Sequence, residues 1–180
     1  MKKLTGLLFS ILLVFTYCIP STMAQQTVSG NNFKEQFNRH FQYASRVLEL
    51  AKAMPADKYS WRPDEDVMSV EEVYTHIARY NYLYPATSLD IPTPADINLD
   101  EIESITGKQN VISILEASIN HLSNAVDNMP KSKLSESTEL YGRTVNGQAV
   151  LMQLITHMSE HVGQSIAYAR VNGVVPPWNR

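Results

Sequence analysis

Leu151-Met152-Gln153-Leu154-Ile155-Thr156-His157-Met158-Ser159-Glu160-His161-Val162-Gly163-Gln164-Ser165-Ile166 is the stretch that decides the fold. Leu151, Leu154, Ile155, Met158, Val162 and Ile166 recur at three- and four-residue steps, which on a helix makes one apolar stripe. His157, His161, Gln164 and Tyr168 lie together along one edge of that stripe. Two histidines four apart project from the same side, one turn above the other, so both imidazoles can hold a single metal ion. Asn146 is a suitable cap for this helix, which runs to about Val171 or Asn172, where Gly173 supplies the stop.

The same period recurs in three more places. Phe37, Phe41, Ala44, Val47, Leu48 and Ala51 predict a helix from about Phe33 to Met54, ended by Pro55. Ser69-Val70-Glu71-Glu72 reads as a capping box opening a second helix, with a stripe of Val70, Val73, Tyr74, Ile77, Tyr80 and Tyr84 and an end or kink at Pro85. Val111, Ile114, Leu115, Ser118, Leu122 and Val126 define a third, from about Lys108 to Asn128, stopped by Met129-Pro130. The polar stretches Ala56–Met68, Leu89–Thr106 and Lys131–Val145 read as connectors without strand alternation, and Val174-Val175-Pro176-Pro177-Trp178 as an extended tail packed back on the helices. Four amphipathic helices of this length predict an all-α four-helix bundle, and the long connector Leu89–Thr106 permits a crossover.

The N-terminus reads differently. Met1-Lys2-Lys3, an apolar run from about Leu7 to Ile19, and small residues at Thr22 and Ala24 predict a cleaved signal peptide over residues 1–24, with Gln25 as the mature start and residues 25–180 as the domain. The run is short for a membrane span, so the mature chain is expected to have no stable span and to be exported, periplasmic or secreted. Cys18, the one cysteine, lies inside this segment; the mature chain offers no thiolate, and a transition-metal site must use His, Asp, Glu and water. Loss of Lys2 and Lys3 takes the formal charge from −3 to −5. A mildly acidic domain without a basic run argues against nucleic acid as a partner; a small-molecule substrate and a homodimer remain open.

A third histidine, His76, occupies an edge position on helix two, where a bundle can bring it to His157 and His161. Three protein ligands leave open positions on the ion, the pattern of catalytic rather than closed structural sites. Gln164 is placed to orient a ligand from outside the coordination sphere. The plainer readings are that an H-x-x-x-H pair arises by chance and that His76 is an edge or core residue. His40 and His121 have no spacing partner and read as surface or interface residues, Glu160 as a solvated face, and the tyrosines as packing. No phosphate loop, nucleophile elbow or H-E-x-x-H is present.

Taken together, three stretches resemble the DinB family, also called DinB/YfiT-like. They are Met54–Pro63 running on to Ser69–Ala78, Leu154–Gln164, and Tyr168–Pro177. The order is specific: a proline-marked connector, a histidine in helix two, then H-x-x-x-H-x-x-Q late in the last long helix. The resemblance implies an up-down-down-up bundle and a divalent metal, nickel or zinc foremost and iron or manganese next, on His76, His157 and His161. It also implies, for some relatives, transfer or isomerisation chemistry using low-molecular-weight thiols. The secretion signal sets this chain apart from the many cytoplasmic relatives. Two functions compete: a metal-dependent hydrolase or transferase for a small molecule, and a non-catalytic metal- or ligand-binding bundle of the cell envelope. A bundle used mainly for dimerisation is a third. No side chain stands out as general base.

Overall fold

The computed structural model describes residues 30–179, so the expected signal segment, residues 1–24, lies outside the described residues. The order is α1 Gly30–Ala44, α2 Val47–Ala53, α3 Val70–Ser88, α4 Lys108–Asn128, a hairpin of β1 Ser137–Leu140 and β2 Arg143–Asn146, and α5 Gly147–Val171. The single first helix expected from Phe33 to Met54 is broken into α1 and α2. At the break the Ser45 hydroxyl donates to the Phe41 carbonyl at 2.7 Å. There the ladder tightens to three-residue steps, Arg46 N to Tyr43 O and Leu48 N to Ser45 O. A serine bonding back to its own helix competes with the regular ladder and bends it.

The other three helices begin and end close to where the sequence places them. Ser69 and Glu72 form the capping box of α3, with the Ser69 amide donating to Glu72 Oε2 at 2.6 Å and the Glu72 amide to Ser69 Oγ at 3.3 Å. Pro85 does not end α3, which runs on to Ser88. Proline's φ is helical, so the loss is one backbone donor; the Leu89 amide still reaches the Pro85 carbonyl at 3.0 Å. Asn146 caps α5, accepting from the Ala149 amide at 3.0 Å. Glycine is required at the next position, because a Cβ on Gly147 would sit 2.1 Å from the Lys133 carbonyl oxygen.

The purely all-α expectation is corrected by the hairpin, which occupies the stretch expected to be an irregular connector. Ser137 pairs with Asn146 and Leu140 with Arg143, antiparallel, around the two-residue turn Tyr141-Gly142. Both turn residues have positive φ, 53° and 70°, the backbone of a type I′ turn, whose twist matches that of the strands. Ser88 at the end of α3 donates to the Glu139 carbonyl at 2.7 Å and ties the hairpin to the bundle.

α3 packs on α4 along one side and on α5 along the other, while α1 and α2 close the ring against both. Val47, Leu50, Val73, Ile77, Leu115, Leu122, Leu151, Leu154 and Met158 are buried in one continuous core. Val174 and Trp178 of the tail pack against its edge, with the Arg46 guanidinium 4.6 Å from the Trp178 ring centroid. Among the described residues no helix is long and apolar enough to cross a membrane.

Candidate metal centre

Each of the three histidines follows from the helix that carries it. α3 and α5 face each other, so an edge residue of one meets an edge residue of the other. The ligand atoms of His76, His157 and His161 all lie within 4.8 Å of one another. His76 Nε2 and His157 Nε2 are 3.1 Å apart. His161 is buried, and His76 and His157 are half-buried.

Two of the rings are held from behind. His76 Nδ1 lies 2.6 Å from Glu103 Oε1. An ionised carboxylate only accepts, so the proton sits on Nδ1 and the lone pair on Nε2 turns inward. The second chain is directional throughout. The Tyr168 hydroxyl donates to the Met68 carbonyl at 3.0 Å, and Gln164 Nε2 donates to the Tyr168 oxygen at 2.9 Å. Gln164 Oε1 must then face His161 Nδ1, 2.9 Å away, and accept its proton. A backbone carbonyl thus fixes, through two side chains, which nitrogen of His161 carries its lone pair toward its partners.

The electrostatics favour the neutral forms of His157 and His76. Burial, followed by the charges of His161 and His76, holds His157 down to about 3. Burial also lowers His76, opposed by the hydrogen bond its Nδ1 donates to Glu103. Neutral imidazole is the metal-binding form. An aromatic wall encloses the other side: Tyr80 lies 4.4 Å from His157 between ring centroids and Tyr84 5.8 Å, edge to face. Tyr84 and Tyr141 of the hairpin turn share a hydroxyl–hydroxyl hydrogen bond.

Other sequence candidates fall where the plainer readings put them, with one exception. His40 and Glu160 are exposed and stand outside the triad. His121 is half-buried against Tyr82, ring centroids 5.0 Å apart, and its Nε2 is buried without a hydrogen-bond partner. Sequence reasoning missed Glu103. It sits in a 3-10 turn, Ile102–Ser104, within a connector rich in acids, and no spacing rule separates it from Asp96, Asp100 or Glu101. Arg79 and Tyr80 were findable, since they lie one turn from His76 on α3.

The family model described as "DinB family" matches residues 23–180. A Bacillus subtilis protein described as uncharacterized protein YjoA is 28% identical over 138 residues, covering 69% of this chain and 80% of that one. Among solved structures, a DinB-like protein from Bacillus cereus ATCC 10987 superposes with a TM-score of 0.69 at 16% identity, covering 79% of this chain and 95% of that one. The structure of the DinB-like YjoA gives 0.61 at 23% identity, with 78% and 93% covered. A described DinB member from Exiguobacterium sibiricum 255-15 gives 0.60 at 19% identity, with 79% and 93% covered. At these identities the structural likenesses show the fold.

Proposed function

This chain belongs to the DinB family, and from that premise we propose that it is an exported divalent-metal protein, a metal-dependent hydrolase or transferase acting on a small molecule. The observation that carries the metal reading is the convergence of three histidine nitrogens from two helices. The donor set fits an ion. Two nitrogens bonded to one tetrahedral zinc at about 2.0–2.1 Å stand about 3.3 Å apart; His76 Nε2 and His157 Nε2 stand at 3.1 Å, and the full set of three lies within 4.8 Å. His76, His157 and His161 would hold the ion, nickel or zinc foremost and iron or manganese next. Held there, it supplies Lewis-acid polarisation of a carbonyl or acidifies a water.

The chain's own residues do the rest. Glu103 and Gln164 hold the protons of His76 and His161 on Nδ1, so that each Nε2 stays a donor. Tyr80 and Tyr84 exclude water from one side of His157. An open cleft lined by His76 gives solvent a way to one of the three histidines, and this supports catalysis over a purely structural ion. A non-catalytic metal-binding bundle of the envelope is the alternative, supported by the fact that, among the described residues, no side chain stands out as general base. Export rests on the basic start, apolar run and small residues before Gln25. The up-down-down-up order is supported by α1 and α2 packing on α4 and α5 and by the long connector between α3 and α4.

The test is elemental analysis of untagged protein, followed by chelation, reloading and X-ray absorption. One equivalent of divalent metal with imidazole donors, lost in His157→Ala and His161→Ala, is the expected result. Metal uptake that survives both substitutions would end the reading.

A further inference from the structure

Arg79 and His76 line the same open cleft of about 430 Å3, together with Met68, Glu72, Tyr80 and Glu103. Its hydrogen-bonding capacity is unevenly spent. Glu72 accepts from Arg62 Nη2 at 2.9 Å and from the Ser69 amide at 2.6 Å. Glu103 accepts from His76 Nδ1 at 2.6 Å. Arg79 gives only its Nε, to the Leu99 carbonyl at 3.2 Å, with Glu103 Oε2 at 4.0 Å. Among the described residues neither of its Nη atoms has a hydrogen-bond partner. Glu72 is thus engaged through both oxygens and Glu103 through Oε1, whereas an incoming anion meets an unengaged guanidinium end.

The shape of that end narrows the anion. With Nε tied to Leu99, the pair left is Nη1 and Nη2, a planar fork that matches the two oxygens of a carboxylate. The Arg79 side chain is 23% exposed, and its guanidinium carbon lies 5.6 Å from the Tyr80 ring centroid, so the fork is backed by protein and not free in solvent. An ion held by the three histidines would add positive charge behind His76, the one of them that lines this cleft, and so favour anions there.

Resting on the metal reading above, we propose that the substrate is an organic acid whose carboxylate seats on Arg79, in the cleft that meets the triad at His76. Arg79 sets specificity and takes no part in bond making. The test is calorimetric titration of the zinc-loaded protein with malonate, succinate, glutarate and adipate, against acetate and propionate. One or more dicarboxylates should bind at least about tenfold more tightly than propionate. Arg79→Gln should still load zinc and lose that preference, and Arg79→Lys, which keeps the charge without the fork, should restore part of it. A preference unchanged in Arg79→Gln, or no preference in the wild type, overturns the anchor alone. A protein that takes up no zinc overturns the metal reading and the anchor with it.

Discussion

The two sides of α3 make opposite use of similar residues. Toward α4 it presents Ala78, Asn81 and Tyr82, all buried; Asn81 Nδ2 donates to Ser118 Oγ at 3.1 Å, and Tyr82 lies in an apolar cluster with Ile102 and Ile114. Toward α5 it presents His76, Tyr80 and Tyr84, whose rings gather around His157. On the first side Asn81 finds its partner within the protein, and the buried polar atom left over among the described residues, His121 Nε2, belongs to α4. On the second, inward-facing nitrogen lone pairs and an arginine end are left over. A helix can thus fasten the fold with one side and keep donors in reserve on the other.

The sharpest way to break this contrast is in the core behind α4. Leu115→Ala removes a fully buried side chain and should cost about 2–5 kcal/mol, measured by urea unfolding, while zinc stoichiometry at 25 °C stays the same. Loss of zinc with little loss of stability would mean the two sides are not separable.

The second test works from the other side. His157→Ala should leave a helical circular-dichroism spectrum yet abolish the rise in Tm on adding metal. For the wild type that rise corresponds to about 4 kcal/mol when free metal is a thousandfold above Kd. Unfolding of the chelated wild type would show the donors to be part of what fastens the fold.

Smaller effects should come from the groups behind the rings. Glu103→Ala and Gln164→Ala should each weaken metal affinity about 10- to 100-fold, read by chelator competition, without removing the site. Glu103→Gln, which keeps an acceptor for His76 Nδ1, should fall between Glu103→Ala and wild type.

Near neutral pH the smallest effect is that of the proton. His157 is held at about 3 from an ordinary 6.5, first by burial. The folded state therefore resists a proton that the unfolded state accepts, so stability falls as pH drops below about 6.5 and levels off toward 3. Metal-free wild type should follow that decline in acid unfolding curves, and His157→Ala should decline less. Equal slopes would place the penalty elsewhere.

Helix periods made most of this legible. The capping box at Ser69, the limits of α4 and the Asn146 cap all follow from local rules that packing does not override. So does the pairing of His157 with His161, because four residues on a helix is a fixed geometry. The hairpin was illegible: its strands hold four residues each, Leu140 and Val145 are their only aliphatic residues, and the turn is Tyr-Gly where Asn-Gly is the strong signal. The break at Ser45 depends on one hydroxyl choosing its own helix. Glu103 was hidden because loop geometry, not period, delivers it to His76.

The contact between His76 and His157 spans 81 positions of sequence and encloses all of α4 and the hairpin. Such distant pairs come together late, because the entropy of closing so long a loop is lost before any contact repays it. His76 is thus far along the unfolded chain from the local pair His157 and His161, and the full set of three donors exists only once the bundle has closed. On the proposed metal reading, metallation follows folding, and the ion taken up is decided by whatever divalent cations are free in the place where the chain folds.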